Sequence, residues 1–247
     1  VIDAGGMDFV QLPPVRASDR NFGGLVDGAG VPVSEALKAE RRDILLQCFA
    51  DLRPDALIIE LFPFGRRQLR FELIPLLEAA RTAAHQPRVI SSVRDILVEK
   101  NRPERDAEMV AWARQYFDDI LIHGDPSLIP FEQTFPLAAD IADMMHYTGY
   151  VVEHDKISAA GGDQGLGEVI VSSGSGAVGA LLLNTAIGAR ADSILADYPW
   201  RLLAGYSLDE VEFQALIGKA PEGVIVERAR PDFIDLLKNW ARPLDNH

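Results

Sequence analysis

The densest chemical signal in the chain is the stretch Glu168-Val-Ile-Val-Ser-Ser-Gly-Ser-Gly-Ala-Val-Gly179. Val169, Ile170 and Val171 have the character of a short buried parallel strand. Ser172, Ser173, Gly174, Ser175, Gly176 and Ala177 follow without a break, and residues 180–191, rich in Ala and Leu, predict a helix. A strand, a glycine turn and a helix N-terminus together form an anion site. Glycine lets an oxygen approach the backbone, free N–H groups point outward, and the helix dipole favours negative charge. The spacing Gly174-x-Gly176-x-x-Gly179 formally fits a dinucleotide fingerprint. That fingerprint also needs an acid about 20 residues on, at the end of the next strand. The next strand, near 200–204, ends in Gly205-Tyr206 instead. The loop is therefore read as a phosphate cradle and not an NAD site; the alternative is a tight turn whose small residues serve packing.

In open parallel sheets, ligands bind beyond the C-terminal ends of the strands. Three further strand ends carry polar groups: Glu60 with Arg66 and Arg67, Ser91 with Arg94 and Asp95, and His123 with Asp125. Glu60 follows an apolar run, and partial desolvation would suit it to general acid–base work. The alternative is an ion pair with Arg66 or Arg67 that holds the turn. His123 offers a base, or else a hydrogen-bonded group that serves the fold. The arginines fit phosphate bidentately, or stand as solvated or structural charges. The catalytic candidates are thus Glu60 and His123. The substrate-binding candidates are Arg66, Arg67, Arg94 and the loop residues Ser172 through Ala177. His85, His146, His154 and His247 lack metal-ligand spacing, so neither a metal nor a cofactor is implied. Neither a Gly-x-Ser-x-Gly elbow nor a Walker loop occurs.

Alternating elements must position these groups. A strand is expected at 8–12, closed by Pro13-Pro14, then a long loop over 16–32. Helix 33–52, N-capped by Ser34, stops at Arg53-Pro54. Strand 55–61, helix 69–84 (kinked or started late by Pro75), strand 88–93, helix 104–116 and strand 119–123 follow. This strand–helix rhythm predicts a parallel sheet covered on both faces. A short helix ends near Met145, a strand is expected at 147–152, and a second alternation runs through strands near 169, 198–204 and 224–226 and helices at 180–191, 208–217 and 231–240. A domain boundary is expected at 136–150, giving domains 1–140 and 141–247. A crevice between two such domains would gather the polar strand ends.

The 247 residues are 48% hydrophobic and 25% charged, an ordinary globular composition. A net charge of −13 argues against nucleic acid and against a polybasic membrane surface. Cys48 is the single cysteine, which excludes an internal disulfide and fits a reducing cytoplasm. The longest apolar run falls short of the ~18 residues of a membrane span, leaving at most peripheral membrane association. The opening Val1-Ile2-Asp3-Ala4-Gly5-Gly6 resembles the middle of a domain, and the chain is expected to be part of a longer protein.

Glu60-Leu-Phe-Pro-Phe-Gly-Arg-Arg67, with Arg70-Phe-Glu-Leu-Ile-Pro-Leu-Leu-Glu78, resembles a signature of predicted bacterial glycosyltransferases. These are related to glycosyltransferase family 28, the family of the peptidoglycan N-acetylglucosaminyltransferase. Residues 91–96, 121–126 and 171–177 agree in order and spacing. The resemblance covers nearly all of the chain. It implies the GT-B architecture, an α/β fold of two Rossmann-like parallel-sheet domains facing a cleft, here incomplete at both ends. It also implies an acceptor on the side of domain 1–140. The nucleotide-diphosphate sugar, a UDP-sugar first, would bind mainly to the domain of which 141–247 is the first part. Transfer would be inverting, without metal at the transfer step. The chain lacks the family's opening strand with its Gly-His-rich loop, and the strand, serine-containing loop and helix that follow beyond residue 240. Two alternatives remain on the same architecture: a nucleotide-sugar epimerase or hydrolase, and a non-catalytic nucleotide- or sugar-phosphate-binding protein.

Overall fold

Apolar β-branched runs separated by helix formers produce the observed architecture, an α/β chain with two parallel sheets. The computed structural model describes residues 6–18, 24–97, 102–151, 165–174 and 179–240, the last three by backbone alone. The chain divides into two compact units, Val1–Val151 and Val152–His247.

The first unit opens with a small antiparallel hairpin, β1 (Val15–Ala17) and β2 (Leu25–Asp27). The strand expected at 8–12 is not formed. Phe9 and Val10 are exposed, and the prolines that follow, Pro13 and Pro14, offer no N–H to a ladder. Pairing starts beyond them, inside the stretch expected to be loop. Helix α1 (Glu35–Leu52) begins at Ser34, whose Oγ accepts from the Leu37 N–H at 3.2 Å. It ends where Arg53 turns left-handed (φ 44°) and returns its N–H to Phe49 O. Helix α2 (Arg70–Thr82) continues through Pro75. A buried pair joins these helices, with Arg41 donating to both Glu72 oxygens at 2.7 Å.

Strands β3 (Ala56–Glu60), β4 (Arg88–Arg94), β5 (Asp119–His123) and β6 (Met145–Tyr147) lie side by side in that order, all parallel. Helix α3 (Pro103–Tyr116) connects β4 to β5. Ile59, Val89, Val93, Ile120 and Ile122 point to one face and are buried against α1–α3 and the Phe62, Phe131 and Phe135 rings. The opposite face is not covered as expected: Ile58 is 60% exposed. The reason is topological. Right-handed crossovers that always step in the same direction place every helix on the same side. The strand expected at 147–152 lies instead at 145–147, where Met145 and Tyr147 pair with Ile120 and Ile122. Residues 141–151 accordingly belong with the first unit, so that unit extends past residue 140.

The second unit repeats the pattern with β7 (Val169–Ser172), β8 (Trp200–Ala204) and β9 (Val224–Arg228), again parallel and in order. Helices α4 (Ala180–Ala189) and α5 (Glu210–Lys219) pack Leu183, Phe213 and Leu216 against Trp200, Leu202 and Ala204. Helix α6 (Phe233–Trp240) follows β9.

Candidate functional site

In the first unit the register decides which side chains meet. Glu60 pairs with Ser92 and Arg94 with His123 across the ladder. Because side chains alternate along a strand, Glu60, Ser92, Arg94 and His123 share the uncovered face at the C-terminal edge. Ser91, which a sequence reading places among the polar strand ends, points the other way. It is fully buried and donates to Phe62 O at 2.8 Å.

The His123 ring is held on both sides. Nδ1 lies 2.8 Å from Thr148 Oγ1 and Nε2 lies 2.8 Å from Ser92 Oγ. The Thr148 hydroxyl also has carbonyl acceptors within reach of its single proton, in Gly149 (3.0 Å) and Ile122 (3.4 Å). If that proton goes to a carbonyl, Nδ1 donates to Thr148 and Nε2 accepts from the Ser92 hydroxyl; in the other tautomer the roles reverse. An imidazole held between two hydroxyls at a strand end is a candidate base, its ring oriented by its neighbours. Ser92 and Thr148 were missed at the sequence level. The alternation of Val89, Ser91 and Val93 with Ser92 and Arg94 is the signal that finds Ser92; Thr148 has no comparable signal.

The turn after β3 is fixed by burial. Phe62 and Phe64 enter the core, with Phe64 edge-on to Phe131 and Phe135 at 5.5 and 5.1 Å. Leu61 (φ 66°) and Arg66 (φ 52°) take left-handed backbone to bracket the turn. A Cβ on Gly65 would stand 2.7 Å from the Leu61 side chain, which would have to shift to admit it. This geometry turns Glu60 and Arg66 outward, where they pair at 2.5 Å. The Glu60 side chain is 66% exposed, so the expected partial desolvation is absent and the ion-pair alternative describes its surroundings. Arg67 pairs with Glu108 and lies over the Trp112 ring, its Cζ 5.3 Å from the centroid. Arg94 is exposed and makes no ion pair among the described residues.

A second contact locks the neighbouring loops. Tyr150 Oη donates to Asp95 Oδ2 at 3.0 Å, and this bond, with burial, raises the phenol above its ordinary range. Asp125 accepts from the Ser127 hydroxyl and N–H, which holds its carboxyl below the usual range.

In the second unit, β7 leads into Ser172, Ser173 and Gly174. The Ser173 hydroxyl donates to Leu203 O and accepts from the Gly205 N–H, both at 3.2 Å, so it stitches the loop to the end of β8. Gly174 takes φ +69° with open space around it, and its N–H donates to Ser172 Oγ at 3.3 Å. Helix α4 starts at Gly179 without a side-chain cap. Ser175, Gly176 and Ala177 lie outside the described residues. The two groups of candidates thus fall in separate units: Glu60, Arg66, Arg67, Arg94 and His123 in the first, the glycine loop in the second. No group of three His, Cys, Asp or Glu side chains among the described residues is arranged to hold a metal. No described helix is long and apolar enough to cross a membrane.

No family model matches the chain, and no curated protein sequence matches it. Among solved structures, UDP-N-acetylglucosamine 2-epimerase from Rickettsia bellii is similar with a TM-score of 0.47 and 8% identity, over 83% of this chain and 55% of that one. A mutant of S. aureus TarM, in complex with Fondaparinux, alpha-GlcNAc-glycerol and UDP, gives 0.45 and 10% over 81% of this chain and 39% of its own. Acinetobacter baumannii MurG gives 0.45 and 15% over 95% and 57%. The chain thus spans about half the length of these structures or less.

Proposed function

We propose that this chain belongs to a glycosyltransferase that moves a sugar from a nucleoside-diphosphate sugar, a UDP-sugar first, to a hydroxyl or amine acceptor. The observation that carries the reading is the His123 ring, held by Ser92 and Thr148 at the C-terminal edge of the first sheet. The motif resemblance over residues 60–78 supports it. The acceptor oxygen or nitrogen attacks the sugar C1 with inversion, the bond from C1 to the diphosphate oxygen breaks, and the diphosphate leaves with the electron pair. The acceptor proton passes to His123. The first unit takes the acceptor and the second the donor.

The developing negative charge falls to the loop 173–177 ahead of α4, where the helix dipole favours an anion without a metal; the Ser173 and Gly174 N–H groups already donate to Leu203 O and Ser172 Oγ. Arg94 is exposed on the His123 face and free to assist. Glu60, tied to Arg66, is the second candidate base.

The test uses the protein that contains this chain, incubated with UDP-sugars with and without acceptors. Glycosylated acceptor that disappears in His123→Ala supports the reading. Free UDP released equally fast without acceptor identifies a hydrolase or epimerase acting on the donor, and binding with no turnover identifies a non-catalytic binder. Gly176→Val should weaken donor binding at least tenfold, about 1.4 kcal/mol, in calorimetric titration. A folded variant that binds donor as the parent does removes the loop from the site.

A further inference from the structure

A pocket of about 470 Å³ in the first unit is lined by groups that the reading above leaves largely unused. It lies between the β1–β2 hairpin, the start of α1 and the start of α2. Lys38, Arg67 and Arg70 supply its charge, and Leu25, Val33 and Phe71 its apolar wall. Among the described residues, no carboxylate lines it. This volume lies in the range of small-molecule sites, which combine an apolar wall with a few convergent polar groups.

The charge balance around the pocket is unusual for a chain of net charge −13. Lys38 pairs with Glu35 at 2.7 Å and lies over the Phe71 ring, 5.8 Å from its centroid. Arg67 pairs with Glu108. Arg70 is exposed and makes no ion pair among the described residues. Burial first, then the charges of Arg70 and Arg105, lower the Arg67 guanidinium from its ordinary value. Three cations, Lys38, Arg67 and Arg70, thus line the pocket, with Glu35 and Glu108 pairing with the first two. The charges of Arg70 and Arg105 repel that of Arg67, and an anion entering the pocket relieves that repulsion. Guanidinium forks suit a planar or tetrahedral oxyanion, and the ammonium adds a point charge.

We infer that this pocket binds a small organic oxyanion, a phosphate or carboxylate head on an apolar or aromatic body. The head sits among Lys38, Arg67 and Arg70 and the body lies on Leu25, Val33 and Phe71. The site uses neither Glu60, His123 nor the glycine loop, so its outcome is separate from that of the transferase reading.

The probes are phenyl phosphate, benzoate, inorganic phosphate and phenol, titrated into the 247-residue chain at low ionic strength and followed by amide NMR shifts. Phenyl phosphate or benzoate should bind more tightly than phenol or inorganic phosphate and should move the amides of Leu25, Val33 and Phe71. Which of the two binds more tightly tells a phosphate head from a carboxylate. Arg70→Ala should weaken binding at least tenfold with an unchanged circular dichroism spectrum, and Arg70→Lys should restore part of it. The inference is overturned if phenol binds as tightly as phenyl phosphate, if the shifts fall elsewhere, or if folded Arg70→Ala binds as the parent does.

Discussion

Arg201→Met tests what holds the glycine-loop strand in register. The Arg201 side chain, 8% exposed, donates to both Glu168 oxygens at 2.5 and 2.7 Å and to Glu227 Oε1 at 2.9 Å. It thereby ties the residue before β7 and a residue of β9 to β8. Removing one partner of a fully buried pair costs about 3–5 kcal/mol, because the remaining charge stays uncompensated. Glu168 and Glu227 retain 14% and 29% side-chain exposure, and water offsets part of that cost. The expected loss at pH 7 is about 2–3 kcal/mol, or amide exchange about 30- to 150-fold faster for Leu202 and Leu203 on β8. The pH dependence has a definite sign. Hydrogen bonding to Arg201 is the main cause holding the Glu168 carboxyl below its ordinary value. A depressed carboxyl contributes stability above its unfolded pKa, about 4.3, and loses it as the pH falls through the folded value. The gap between parent and variant should therefore be widest above about pH 5 and narrow below about pH 4. Hydrogen exchange at pH 7 and 4 measures both quantities. A deficit under about 1 kcal/mol at pH 7, or one that does not change with pH, would refute the reasoning.

Two further substitutions probe the first unit. A Cβ on Gly124 would stand 2.4 Å from Asp95 Cβ and 2.7 Å from its Oδ2, so Gly124→Ala should destabilise the unit by about 1–3 kcal/mol in calorimetry. Asp95→Gly in the same chain should recover part of that loss, and simple additivity would count against the contact as its cause. Thr148→Val keeps the shape of the side chain and removes the partner of His123 Nδ1. Long-range nitrogen–proton NMR should then show a changed His123 tautomer balance, whereas an unchanged spectrum would mean that Thr148 does not set it.

Most of the element order was legible because apolar β-branched runs and helix formers alternate from Ala56 onward, and local pattern and tertiary packing agree there. Ser34 as cap, Arg53 as stop and the β7–Gly174–α4 sequence all stand where their residue types place them. The failures fall where local pattern and ladder disagree. Asp8–Leu12 carries the apolar residues of a strand, yet Phe9 and Val10 are exposed and pairing begins at Val15. The strand expected at 147–152 sits earlier because the ladder to Ile120 and Ile122, which no local pattern encodes, chooses Met145 and Tyr147.

The candidate site was legible in its strand ends but not in its partners, and the reason is parity. Sequence order marks Ser91 and Ser92 equally; the alternation that buries Val89 and Val93 sends Ser91 to the Phe62 carbonyl and Ser92 to His123. Thr148 reaches the ring from a loop 25 residues further on, a contact fixed by where β6 ends and not by any motif. Topology also explains the open face on which these groups sit. The one-directional steps from β3 to β6 leave Glu60, Ser92, Arg94 and His123 on the side that α1–α3 do not cover. His123, a candidate base in the sequence, therefore lies on the same face as the exposed Ile58. A substitution that covered this face would be expected to alter His123 chemistry before it altered the core.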